Sequence, residues 1–144
     1  MNLRNEIMVK FLSKSENEGF ARMVVASLVS QLDPTIEELN DVKTAVSEAV
    51  TNCIVHAYCD KKGYIFLECK LYDNMIVMSV KDNGKGIEDV KKAREPLFTT
   101  NTDMERSGMG FTVMETFMDE VEVESIPDVG TKVTMKKKIC ANTL

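Results

Sequence analysis

Apolar and polar residues partly alternate from Leu3 to Leu12, which predicts a first strand over 3–12. The spacing then changes. Phe20, Val24, Leu28 and Leu32, flanked by Ala21, Val25 and Val29, recur every three or four residues and trace one face of a helix. Ser15 and Glu18 stand ahead of that face at capping-box spacing. In "LDPT", Asp33 suits an N-cap and Pro34 a first helical position, so a second helix is expected to begin there. Leu39, Val42, Ala45, Val46, Ala49, Val50, Cys53 and Ile54 carry its apolar rhythm and extend it over about 34–58.

From Gly63 the period is two. Ile65, Leu67, Cys69 and Leu71 face one way and, after a turn at Asp73-Asn74, Ile76, Met78 and Val80 repeat the pattern, which makes a hairpin. Residues 88–94 suggest a short helix before Pro96, 97–107 a polar loop, and 108–118 a helix opening on "GMGF". "EVEVES" and "TKVTMKKK", separated by "IPDVG", form a second hairpin, with the lysines at 136–138 read as a solvated strand end. The order β, α, α, β, β, α, β, β implies an α+β domain with a mostly antiparallel sheet and its helices on one face.

Composition narrows this picture. A chain of 144 residues, 44% hydrophobic, is one domain's worth, 1–144, and can bury a core without disulfides or metal. The net charge is −5 and the acidic residues are scattered, so no basic stripe invites nucleic acid or an anionic membrane. Cys53, Cys59, Cys69 and Cys140 lack CxxC spacing and read as structural thiols of a reducing compartment. No apolar run reaches the ~20 residues of a membrane span, and Glu6 and Lys10 interrupt the N-terminus where a signal peptide needs an apolar stretch. The expected location is cytoplasmic.

Three features could carry chemistry. Glu48, Asn52 and His56 recur every four residues and form a polar ridge on the second helix. A carboxylate there suits a general base and an amide oxygen suits Mg²⁺. Taken alone, such a ridge is normally the solvent face of an amphipathic helix. Asp82-Asn83-Gly84-Lys85-Gly86 follows a strand directly, so the aspartate offers an acceptor for an exocyclic amine beside bare backbone, or the dipeptide Asn-Gly simply turns the chain. Gly108 and Gly110 open a helix whose free N–H groups suit phosphate, or else form a hinge. Neither glycine pair has Walker A spacing or the strand–GxGxxG–helix arrangement.

Together, "EAVTN" at 48–52, "DNGKG" at 82–86, "GMG" at 108–110 and Gly130-Thr131 resemble, in order, the nucleotide-binding boxes of the GHKL ATPase superfamily, which includes gyrase-type topoisomerases and histidine-kinase catalytic domains. Within it, "LDPTIEELNDVKTAVSEAVTNCIVHAY", "PLFTT" and "ERSGMGFTVMETFMDEVEVES" are similar to the anti-sigma factors of spore-forming bacteria, which are serine-protein kinases. The lid segment departs from them at Asn101-Thr102, where a Lys-Pro pair is expected.

The resemblance implies a two-layer sandwich of the Bergerat type that binds ATP or ADP with Mg²⁺. By position, Asp82 would accept from the adenine amine, Gly84 and Gly86 would give the ring room, and Thr131 would assist from the far side through water. Asn52 would hold Mg²⁺, and Glu48 would be the general base. Ser107, Gly108, Met109 and Gly110 would receive the phosphates, with Thr99, Thr100 and Arg106 reaching them from a lid at 97–107. The implied partners are a sigma factor of the sporulation sigma F type, bound in the ATP state, an anti-anti-sigma factor phosphorylated on serine, and a second copy of the chain. A binding module that uses nucleotide only as a switch is the alternative, and Glu48 favours the enzyme because a switch needs no base. His56, inside the second helix, is a pocket-wall residue rather than a phosphoacceptor. Arg22, a charge among apolar neighbours, is a candidate partner contact or an ordinary exposed arginine.

Overall fold

The computed structural model describes residues 2–59, 61–95 and 110–140. Strand β1 (Leu3–Leu12) is followed by helix α1 (Glu16–Val29), a 3₁₀ turn (Ser30–Leu32), helix α2 (Ile36–Asn52) and a π turn (Cys53–Ala57). The hairpin β2 (Tyr64–Tyr72) and β3 (Met75–Asp82) comes next, then the short helices α3 (Val90–Ala93) and α4 (Phe111–Phe117), and the hairpin β4 (Glu120–Ile126) and β5 (Gly130–Lys138). The strands form one sheet in the order β1-β2-β3-β5-β4, and every neighbouring pair is antiparallel. The expected α+β two-layer arrangement is the one observed.

Period two decides which face of the sheet is covered. Ile65, Leu67, Cys69 and Leu71 of β2, Ile76, Met78 and Val80 of β3, and Val133 and Met135 of β5 are buried. They pack against Val25 and Val29 of α1, Val42, Val46 and Val50 of α2, and Phe111 and Met114 of α4 in one core. Glu68, Lys70, Tyr72, Val77, Lys132 and Thr134 alternate with them and lie along the opposite face.

The same parity corrects the reading of the terminal lysines. Lys137 shares the inward row of Val133 and Met135, and its Nζ donates to the Phe117 carbonyl at 2.8 Å and pairs with Asp41 Oδ2 at 3.3 Å. Lys136 points the other way and pairs with Glu120. Only the outward lysines are solvated.

The helix starts also differ from expectation. Ser15 lies in the right-handed helical region and makes no side-chain cap. Glu18, its expected box partner, instead accepts from Arg22 and, at 2.5 Å, from the Ser47 hydroxyl of α2, so a contact between helices displaces a local one. Asp33 does not cap α2 either. It takes a left-handed conformation (φ 52°), and its N–H closes the 3₁₀ turn on the Ser30 carbonyl. Thr35 is the N-cap, and it forms a complete box: Glu38 N–H donates to Thr35 Oγ1 at 3.0 Å and Thr35 N–H to Glu38 Oε1 at 2.9 Å. Glu38 Oε2 then accepts the Cys140 N–H at 2.8 Å, tying the chain beyond β5 to the start of α2. Among the described residues no helix is long and apolar enough to cross a membrane.

Candidate nucleotide site

A cleft lies where α2 crosses the sheet ends. Its apolar walls are Ala49, Val80, Ile87, Phe111 and Val133, and its polar lining includes Asn52, His56, Asp82 and Thr131. Such a lining, mostly apolar with a few convergent polar groups, is what a flat heteroaromatic ligand needs.

Strand register supplies the polar end. Asp82 continues the inward row Ile76, Met78, Val80 by one step past the apolar core, so a carboxylate is delivered to a position 4% exposed. Pairing sets Asp82 opposite Thr131, and Thr131 opposite Ser125. The Thr131 and Ser125 hydroxyls are 2.8 Å apart, and Ser125 Oγ also accepts the Ile87 N–H at 2.7 Å. Burial raises the Asp82 pKa, partly opposed by donors from the Gly84 N–H, the Cys53 thiol and the Thr131 backbone.

Helix α2 supplies the other wall. Its last turn widens into the π turn, in which Tyr58 N–H reaches back five residues to the Cys53 carbonyl at 3.0 Å. Helix interruptions of this kind recur at functional sites. The expected continuous helix over 34–58 is therefore α-helical only to Asn52. The turn is stapled to the loop after β3. Lys85 N–H donates to the Ala57 carbonyl at 3.0 Å, and the Tyr58 hydroxyl accepts the Asn83 N–H at 2.8 Å while donating to the Tyr64 carbonyl at 2.6 Å. A Cβ on Gly84 would lie 2.4 Å from the Ala57 carbonyl oxygen, so this glycine is needed where two backbones meet. Gly86 stands on the lip of the cleft.

Glu48 lies further up α2 against the start of α4. Gly110 has φ +65°, and a Cβ there would meet Glu48 Oε2 at 2.4 Å, so the glycine admits the carboxylate. Burial, followed by the charge of Glu18, raises the Glu48 pKa. Glu48, Asn52, His56, Asp82, Gly84, Gly86, Gly110 and Thr131 are thus distributed along one cleft and its margin. Thr99, Thr100, Arg106, Ser107, Gly108 and Met109, and the expected lid at 97–107, lie outside the described residues.

The donor set fits an adenine nucleotide: a buried acceptor, apolar surfaces for a ring, and an amide and a carboxylate nearer α4. Among the described residues no group of three His, Cys, Asp or Glu side chains could hold a metal, so a cation near Asn52 would share its shell with ligand oxygens, as Mg²⁺ commonly does. Three contributors were not singled out from the sequence as parts of the site: Cys53, Tyr58 and Ser125. Ser125 was accessible in principle, since a three-residue loop with a left-handed residue at Asp128 (φ 66°) sets it opposite Thr131.

The chain is similar to known proteins over nearly its whole length. The model of the histidine kinase-like ATPase domain matches residues 11–137. An anti-sigma F factor from Caldanaerobacter subterraneus subsp. tengcongensis is 62% identical over 142 residues, 99% of each chain. One from Clostridium perfringens is 58% identical over 136 residues, 94% of this chain and 97% of the relative. Among solved structures, the RsbU and RsbW domains of a Mycobacterium tuberculosis protein superpose with a TM-score of 0.66 at 16% identity, covering 94% of this chain and 32% of that one. The catalytic domain of the histidine kinase ThkA gives 0.57 at 14% identity, covering 92% and 96%. The structures speak for the fold, and the sequence relatives, matched over nearly their whole length, for the branch: this chain belongs to the anti-sigma F factor family of histidine kinase-like ATPase domains.

Proposed function

We propose that the chain is an ATP-dependent serine-protein kinase and an anti-sigma factor, which binds a sporulation sigma factor in its ATP state and phosphorylates a serine of an anti-anti-sigma factor. The observation that carries the nucleotide reading is Asp82, a carboxylate 4% exposed in a mostly apolar cleft. An ionised carboxylate only accepts hydrogen bonds, so it favours the 6-amine of adenine and repels the 6-oxo group of guanine. Thr131, beside it in the sheet, assists from the other edge of the base, and Gly84 and Gly86 shape the rim.

Asn52 is assigned to Mg²⁺, which would bring charge neutralisation to the phosphates. Glu48 is the general base: it takes the proton of the attacking serine hydroxyl as that oxygen bonds to the γ-phosphorus and the bond to ADP breaks. Its raised pKa suits the role, because a carboxylate made more basic by burial is a better proton acceptor. Gly110 belongs to the phosphate end with Ser107, Gly108 and Met109. Thr99, Thr100 and Arg106 are assigned to the phosphates as well, with Arg106 set against developing charge. The protein acts in the cytoplasm as a homodimer, without direct contact to nucleic acid.

Calorimetric titration with ATP and GTP in the presence of Mg²⁺ tests the base assignment. The wild type should prefer ATP, and Asp82→Asn should bind ATP more weakly and lose that preference. Equal affinity of the wild type for the two nucleotides would overturn it. Incubation with labelled ATP and an anti-anti-sigma protein should yield phosphoserine on the partner. Sigma binding in the ATP state without any phosphoserine would leave a nucleotide switch in place of an enzyme.

A further inference from the structure

Recognition of the base through Asp82 leaves one contact on that carboxylate unused, the thiol of Cys53. Cys53 opens the π turn directly after Asn52 and is 3% exposed. Its Sγ lies 3.5 Å from Asp82 Oδ2. A thiol at its ordinary pKa of about 8.5 already carries its proton near neutrality. An ionised carboxylate has no proton to give, so the thiol is the donor.

The other carboxylate oxygen is held from the opposite side, where Gly84 N–H donates to Oδ1 at 2.9 Å. Donors on both oxygens, with the Thr131 backbone as a third, fix the plane of the group as well as its position. A carboxylate offers about four lone-pair sites, so accepting from Cys53, Gly84 and Thr131 still leaves capacity for a further donor from the cleft that Asp82 lines. The apolar neighbours Ala49 and Val80 have no donor with which to replace the thiol.

We propose that Cys53 is a positioning residue that determines base specificity: its thiol orients Asp82 as an acceptor for the exocyclic amine of the purine. The proposal rests on the reading of Asp82 given above. It predicts that the donor, rather than the volume, at position 53 sets the preference for a 6-amino over a 6-oxo purine.

The test compares ATP with inosine triphosphate, which differs at the 6-position and keeps the same phosphates, so that binding at the phosphate end cancels from the ratio of dissociation constants. Calorimetry with Mg²⁺ is run on the full chain and on Cys53→Ala, Cys53→Val and Cys53→Ser, with thermal unfolding recorded for each. The wild type should favour ATP. Cys53→Ala and Cys53→Val should lower that ratio about three- to tenfold, the size expected for one net hydrogen bond, and Cys53→Ser, which restores a donor, should keep it. A role in packing alone would instead shift the unfolding temperature and leave the ratio unchanged. An unchanged ratio in the alanine and valine variants overturns the proposal, as does a serine variant that loses the preference along with them. Should Cys53→Val fail to fold, the alanine and serine variants still decide. A wild type without any preference overturns the Asp82 reading and this proposal together, whereas a wild-type preference that survives in all three variants overturns the role of Cys53 alone.

Discussion

Helix α2 carries a carboxylate near each end, and the two are treated in opposite ways. Glu38, in the first turn, closes a capping box with Thr35 through one oxygen and accepts the Cys140 N–H through the other. Burial raises its pKa, but the backbone donors of Cys140 and Thr35 outweigh burial and leave it lowered. Glu48, ten residues on, has its pKa raised by burial and by Glu18. The first carboxylate is satisfied by its surroundings and stabilises the fold as an anion. The second is held in surroundings that disfavour its charge, which suits it to the role of base proposed for it. The difference sets a structural end of the helix against the proposed reactive one, and substitution should expose it.

The largest effect is expected in catalysis at the reactive end. Glu48→Gln should reduce serine phosphorylation about 10²–10⁴-fold while leaving ATP affinity within a few-fold, because a general base acts in the transition state and hardly in the ground state. Phosphorylation at the wild-type rate would place the base elsewhere.

Gly110→Ala probes the same end through the backbone. The φ of +65° should cost roughly 1–2 kcal/mol for a residue with a Cβ, and the added carbon would stand where Glu48 Oε2 now lies. The carboxylate can swing away, so phosphorylation should fall by more than the loss of stability explains, as read from urea unfolding beside the kinase assay. A variant with normal kinase activity would show that the closeness of Glu48 to α4 has no part in the reaction.

At the structural end, Thr35→Ala removes a cap and should cost about 1 kcal/mol in urea unfolding with no change in the ATP:GTP preference. A change in nucleotide selectivity would break the separation between the two ends.

Acid titration provides the smallest and most diagnostic contrast. Folding lowers the Glu38 pKa below the ordinary 4.5, so its contribution is present above that pH and fades as the pH falls through the folded value. Glu38→Gln should therefore destabilise near neutrality, by an amount that shrinks in acid. Folding raises the Glu48 pKa above 4.5, so the ionised side chain opposes folding at neutral pH and ceases to do so once protonated. Glu48→Gln should stabilise near neutrality, with a gain that shrinks in acid. Urea midpoints measured from about pH 7 down to about pH 3, a window that passes below the ordinary 4.5 for Glu38 and above it for Glu48, should give curves of opposite sign, and curves of the same sign would remove the contrast.

Periodicity located most of the elements of this fold, because burial on one face forces side chains into periods of two or about 3.6. It placed both hairpins and the core rows of α1 and α2, and it carried Asp82 inward as the next member of the row Ile76, Met78, Val80. The resemblance of the polar boxes to those of a known superfamily likewise pointed to Glu48, Asn52, Asp82, Gly110 and Thr131. What needed the tertiary structure were contacts in which a distant group competes with a local one. Glu18 has the spacing to cap α1, yet Arg22 and Ser47 engage it instead. Lys137 has the look of a solvated lysine until Asp41 and the Phe117 carbonyl approach from other elements. Cys53 reads as a small buried apolar residue, and only the crossing of α2 over the end of β3 puts a carboxylate beside its thiol. Local pattern reports which face a side chain occupies, whereas the partner it meets there is decided by segments far away in the chain, as the bond from Cys140 to Glu38 illustrates.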